Sequence, residues 1–239
     1  MKKFRHTLYI IVMVIALLGF VGSGGYLVMH HIQGQKTEDA FRQLTVDGGH
    51  DIAALHEENS DIVGWIKIDD TRVDYPVMWT PDEPEFYLRR NFKKEDSVAG
   101  TPFLDAASQM PGSSNWLIYG HNMKNGTMFH DILEYDDPEF YKEHKTIHFD
   151  TLEEEGLYEI VAVCYTQVYT EEDDVFKYYY FANVTDEDSF DNYVKNVKAM
   201  SIYDTGVTPV WGDQLITLST CEYSVKDGRF IVIARKIDE

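Results

Sequence analysis

An apolar run, Leu215, Ile216 and Leu218, leads through Thr217-Leu-Ser-Thr-Cys221 and delivers a cysteine to the point where a strand should stop. Arg229 follows eight residues later and directly precedes a second apolar run, Phe230-Ile-Val-Ile-Ala234. A cysteine and an arginine on facing ends of adjacent strands suit a nucleophile with a cationic oxyanion partner, because a guanidinium is permanently charged and offers several donors. That pairing points to an enzyme. The chemistry needs a base as well, since a free thiol has a pKa of about 8.5 and only the thiolate attacks a carbonyl well. His121 is the candidate: it follows the strand-like Trp116-Leu-Ile-Tyr119 and sits in the turn Gly120-His-Asn-Met-Lys-Asn-Gly126. Taken alone, a histidine before a turn is more often a solvated or structural residue.

These residues need strands to hold them. Gly64–Ile68, Val73–Met78, Gly100–Leu104, Asn115–Tyr119, Thr146–Phe149, Leu157–Val168, Gln214–Thr220 and Phe230–Ile237 all read as strands, bounded by turn residues. Short strands separated by turns predict a closed or nearly closed β-barrel rather than a βαβ fold. One helix interrupts them. Thr185-Asp-Glu-Asp188 fits a capping box, and Phe190, Tyr193, Val194, Val197 and Met200 then line one helical face. Met128–Tyr141 is a candidate for a further short helical piece, and Thr37 to about Ile62 reads as mostly helical with a break at Gly48-Gly49.

Leu8–Met29 is apolar or glycine except for Ser23, long enough to cross a bilayer, and Lys2, Lys3 and Arg5 precede it. The sequence therefore predicts a cytoplasmic tip and signal anchor over 1–30, a linker and helical segment over 31–62, and a catalytic domain over 63–239 outside the cell membrane. A cleaved signal peptide is the alternative, although no Ala-x-Ala site is present. The formal net charge is −20, and no acidic residue precedes residue 31, so the excess lies on the exported part. Such a surface repels phosphate backbones and disfavours nucleic acid as a partner. Glu153-Glu-Glu155 and Glu171-Glu-Asp-Asp174 lack the ordered spacing of a calcium loop, and His56-Glu-Glu-Asn-Ser60 lacks the second histidine of a zinc helix, so no metal or cofactor is expected. Cys164 lies in a strand-like apolar run and Cys221 among polar neighbours; two free thiols, one inert and one reactive, are expected rather than a bridge.

Tyr119-Gly-His-Asn-Met, together with Thr217-Leu-Ser-Thr-Cys and the arginine downstream, resembles the sortases, specifically class B, over most of Asp61–Lys236. Gly64-Trp-Ile-Lys-Ile, Tyr87-Leu-Arg-Arg-Asn91 and the inserted helix extend the likeness. The resemblance implies a mainly β fold with helices: a closed eight-stranded sortase-type barrel, an N-terminal helical segment, and one inserted helix before the cysteine strand. It implies a membrane-anchored cysteine transpeptidase with Cys221 as nucleophile, His121 as general acid/base and Arg229 as the oxyanion-stabilising cation. Ser219, Glu222 and Leu88 match groove positions, and the loop Tyr169–Phe181 is implied to form one groove wall. Family members often carry an asparagine four residues before that leucine, where this chain has Pro84. Implied substrates are surface proteins with an Asn-Pro-x-Thr-like sorting signal, cleaved after Thr and transferred to an amine of a peptidoglycan precursor. Polymerisation of pilin subunits is the neighbouring reading. An L,D-transpeptidase would need a Ser-His-Gly-x-Cys context, absent here, and a non-catalytic anchored binding domain would leave Cys221 without a chemical role.

Overall fold

Eight strands close into a barrel in the computed structural model, which describes residues 13–25, 39–45, 49–184 and 186–237. They are β1 (Ile62–Lys67), β2 (Asp74–Met78), β3 (Phe103–Leu104), β4 (Asn115–Tyr119), β5 (Thr146–Thr151), β6 (Leu157–Gln167), β7 (Leu215–Cys221) and β8 (Gly228–Ile237). Their order around the barrel is β1-β2-β3-β4-β7-β8-β6-β5, and β5 closes it by pairing with β1. Most pairs are antiparallel; β4 and β7 run parallel, with Tyr119 beside Ser219. That parallel pair determines where the chemistry sits. The chain segments leaving β4 and β7 emerge at the same end of the barrel, which brings Gly120-His121 next to Thr220-Cys221.

β7 is buried along nearly its whole length because both of its faces are covered. Ile216 and Leu218 point into the barrel with Ile118, Phe230 and Val232, whereas Leu215 joins an outer cluster with Leu117, Ile231 and Ile233. The outer cluster is roofed by helix α3 (Glu187–Met200), whose Phe190, Tyr193, Val194 and Val197 are the buried face expected from their spacing. Two shorter helices, α1 (Ile52–Glu58) and α2 (Pro138–Glu143), flank the barrel, and Asp131–Asp136 forms a 3-10 turn before α2. Residues 128–130 are not helical. Cys164 lies in the outer cluster with its thiol against the Val197 carbonyl at 3.5 Å; burial pushes that thiol up to about 12, so it is chemically quiet. Both cysteines are free.

Several boundaries differ from the sequence expectations. The N-cap of α3 is Asp186, whose extended backbone lets its carboxylate accept from the Ser189 N–H at 2.9 Å; Thr185, expected to open the capping box, lies outside the described residues. The strand expected at Gly100–Leu104 shrinks to Phe103–Leu104, because Gly100 adopts φ +63 against the Leu88 and Tyr87 carbonyls, and a Cβ there would lie 2.6 Å from each. The segment expected to be helical up to about Ile62 is helical at 39–42 and at α1 alone among its described residues, and Ile62 already begins β1. It ends at Asn59, whose buried amide donates instead to the Tyr87 hydroxyl and the Phe92 carbonyl. Of the expected membrane anchor, residues 13–25 are helical, while 8–12 and 26–29 lie outside the described residues. Among the described residues no helix is long and apolar enough to cross a membrane.

Candidate active site

Cys221 is the last residue of β7 and pairs directly with Arg229 on β8. Residues opposite one another in an antiparallel ladder project to the same face with Cβ atoms about 5 Å apart. Ile231 and Leu215, in alternation with this pair, belong to the outer cluster, so the pair lies on the outside of the barrel and not in its interior. Cys221 is half-buried. The Arg229 guanidinium is held by its own chain, Nη1 donating to the carbonyls of Gly228 at 2.9 Å and Asp227 at 3.4 Å. Among the described residues no carboxylate pairs with it, which leaves its remaining N–H donors for a ligand.

His121 reaches the same place from β4. The ladder continues past the strand end, with the Gly120 N–H donating to the Ser219 carbonyl at 3.1 Å and the Thr220 hydroxyl donating to the Gly120 carbonyl at 2.7 Å. Gly120 must be glycine for packing reasons: a Cβ there would lie 2.5 Å from the Phe129 ring. The imidazole Nε2 donates to the Leu88 carbonyl at 3.0 Å, which makes Nδ1 the free nitrogen of the neutral ring. Burial pushes His121 below the ordinary imidazole value of 6.5 and the Arg89 guanidinium pushes the same way, outweighing the Leu88 carbonyl. The ring is therefore neutral near pH 7.

His121, Cys221 and Arg229 line one groove of about 550 Å³, together with Leu88, Pro84 and Ser219. Ser219 is fully buried at its wall, its hydroxyl 2.8 Å from that of Tyr178. Glu222 does not line this groove. Its carboxylate is engaged in the turn between β7 and β8, accepting from the Ser224 N–H at 2.8 Å and the Ser224 hydroxyl at 2.5 Å. Among the other groove residues, Phe103, Asp105 and Val168 were not singled out from sequence, and Tyr178 and Tyr179 were included only within the loop Tyr169–Phe181 implied to form a wall. Tyr178 and Tyr179 belong to the loop after β6, and their signal was an aromatic run, Tyr178-Tyr-Tyr-Phe181, after the acidic stretch Glu171–Asp174. Burial pushes the Tyr178 phenol up to about 12, and burial with Asp105 also raises Tyr119, so both keep their protons, the Tyr178 hydroxyl bonded to Ser219 and that of Tyr119 to Asp105. The wall is fixed from behind, because Phe181 stacks on Tyr193 of α3 at 3.6 Å between ring centroids. Among the described residues no group of three or more His, Cys, Asp or Glu is placed to hold a metal ion.

A family model for the sortase domain matches residues 66–237. Sortase B of Listeria monocytogenes is 35% identical over 183 residues, spanning 74% of this chain and 70% of that protein. Sortase B of Staphylococcus aureus is 29% identical over 187 residues, spanning 77% and 73%. Among solved structures, Clostridium perfringens sortase B superposes with a TM-score of 0.71 at 28% identity, covering 79% of this chain and 100% of that one. A Staphylococcus aureus sortase B–substrate complex gives 0.69 at 28% identity, covering 78% and 84%.

Proposed function

Since the chain belongs to the sortase family, in its class B branch, we infer that it is a transpeptidase acting through a thioacyl enzyme on Cys221. The observation that carries this reading is the directly paired Cys221 and Arg229 opening onto one groove with His121. In this account the Cys221 thiol passes its proton to His121 as the sulfur attacks the carbonyl carbon of the threonine in a C-terminal sorting signal. The resulting oxyanion accepts from the Arg229 N–H groups not engaged by Gly228 and Asp227. His121, with Nδ1 as the nitrogen free of Leu88, protonates the departing amine as the C–N bond breaks. A second amine then attacks the thioester, gives its proton back to His121, and leaves with the acyl group while Cys221 is regenerated. A neutral His121 suits both halves of this cycle, taking the thiol proton in the first and the amine's proton in the second, which it returns to the Cys221 sulfur. Water competes with the amine, so slow hydrolysis accompanies transfer.

The donor substrate is a surface protein with an Asn-Pro-x-Thr-like signal, and the acceptor is an amine of a cell-wall precursor. The Tyr178–Tyr179 wall and Leu88 bind the signal's apolar part, and the 1–30 segment anchors the enzyme to the cell membrane with residues 31–62 as spacer and the 63–239 domain outside. Glu222, engaged by Ser224, contributes at the rim. The test uses the full chain in detergent, a fluorogenic Asn-Pro-x-Thr peptide library, and triglycine as amine. Cleavage after Thr with triglycine incorporated, absent in Cys221→Ala, is the expected result. Undiminished cleavage by Cys221→Ala, or none by the wild type, would refute the reading.

A further inference from the structure

Asn122, the residue after His121, makes three hydrogen bonds that join the two halves of the site. Its Nδ2 donates to the Cys221 carbonyl at 3.0 Å, its Oδ1 accepts from His130 Nδ1 at 2.8 Å, and its backbone carbonyl accepts the Tyr223 hydroxyl at 3.3 Å. A backbone carbonyl only accepts, so the amide's nitrogen must face Cys221 and its oxygen must face His130. His130 therefore carries a proton on Nδ1 whether its ring is neutral or charged. His130 is itself seated at the head of the 3-10 turn Asp131–Asp136, its N–H donating to the Thr127 carbonyl at 3.3 Å. The backbone of Asn122 bridges to Met128, whose N–H donates to the Tyr75 hydroxyl at 3.1 Å.

The position of this tie explains its use. The β4–β7 ladder ends at the Thr220–Gly120 contact, so nothing in the sheet fixes the turn that bears His121 against the end of the strand that bears Cys221. Asn122 spans that gap. We propose that Asn122 is a positioning residue, which holds the His121 turn in register with Cys221 and has its own amide orientation set by His130. The proposal rests on the reading of His121 and Cys221 as the catalytic pair. Proton transfer between a bound amine and an imidazole is steeply sensitive to placement, so a loosened turn costs turnover more than binding.

Asn122→Asp keeps the shape and the acceptor for His130 but puts a carboxylate oxygen where the donor to Cys221 stood, and Asn122→Ala removes the same donor without adding a charge. In the full chain, with the same peptide and triglycine, Asn122→Asp and Asn122→Ala should each lower kcat about tenfold or more, with KM held within about twofold. The thermal midpoint should stay within about 4 °C of wild type, the shift a single modest hydrogen bond gives in a domain of this size. His130→Ala, which frees the amide to flip, should lower kcat in the same sense. A wild-type kcat in Asn122→Asp, a loss confined to KM, or loss of folding in both Asn122 variants would overturn the proposal. An inert wild type would instead sink the transpeptidase reading, and this inference with it.

Discussion

Arg229 is held at the mouth of the groove by its ladder partner Cys221 on one side and by the carbonyls of Gly228 and Asp227 on the other. The guanidinium plane is therefore oriented before any substrate arrives. Arg229→Lys keeps the charge but replaces that plane with a point charge on a flexible stem. We expect kcat/KM for the sorting peptide to fall about a hundredfold, the scale of losing an oxyanion donor, and a near-normal value would remove Arg229 from that role. His121 makes a prediction about pH. Burial and Arg89 depress its pKa below 6.5, so the singly protonated Cys–His pair survives to lower pH than an ordinary imidazole would allow. The acid limb of the kcat/KM profile should have its midpoint below 6.5, and a midpoint at or above that value would contradict the burial argument. The same shift has a sign for stability: the unfolded chain binds this proton more readily, so the contribution of a neutral His121 is present above 6.5 and is lost as pH falls through the lower folded value. The catalytic candidates were legible because cysteine, arginine and histidine each stood at the end of an apolar run. Asn122 and His130 were not, since the bond that gives Asn122 its value joins it to Cys221 about a hundred residues on, and His130 matters only through Asn122, which no local pattern records.

At the scale of elements, strand β4 does more than end near β7, because its parallel pairing decides that both motif ends share one rim. Gly120 is where this pairing is most demanding. Gly120→Ala would press a methyl into the Phe129 ring, and Phe129 is fully buried with its N–H on the His121 carbonyl at 2.9 Å. Overpacking of this kind costs about 1–3 kcal/mol. The expected result is a lower melting temperature together with reduced turnover, because relief can only come by moving the His121 turn; unchanged stability and rate would show that Phe129 has room to yield. Helix α3 was readable as an element because its apolar spacing is helical and its start is rich in acidic residues. Its cap was misplaced by one position, since Thr185 and Asp186 are both capping residues and only the backbone turn selects between them. The shortened β3 escaped for a related reason: Gly100 looks like a strand residue in sequence and is needed here for a left-handed turn against Tyr87 and Leu88.

Considered whole, the protein is a barrel with two cores, one inside it and one beneath α3, and the groove opens on its outer face where the second core ends. Strand number and the buried face of α3 followed from turn signals and helical spacing, but the parallel β4–β7 pair and the closure of β5 on β1 are long-range choices that sequence patterns leave open. Residues 49–58 are also part of the fold, with His50 stacked on Trp65 and bonded to Asp150 at 3.0 Å, contacts that no motif announced. The central intermediate of the proposed reaction can be weighed on the whole protein. The full chain, incubated with an Asn-Pro-x-Thr peptide and no added amine, should gain the mass of the acyl fragment ending in Thr. Peptide mapping should place that mass on Cys221, and triglycine should release it as the amide. Peptide cleavage with no adduct on Cys221, or an adduct that amine does not discharge, would contradict the account.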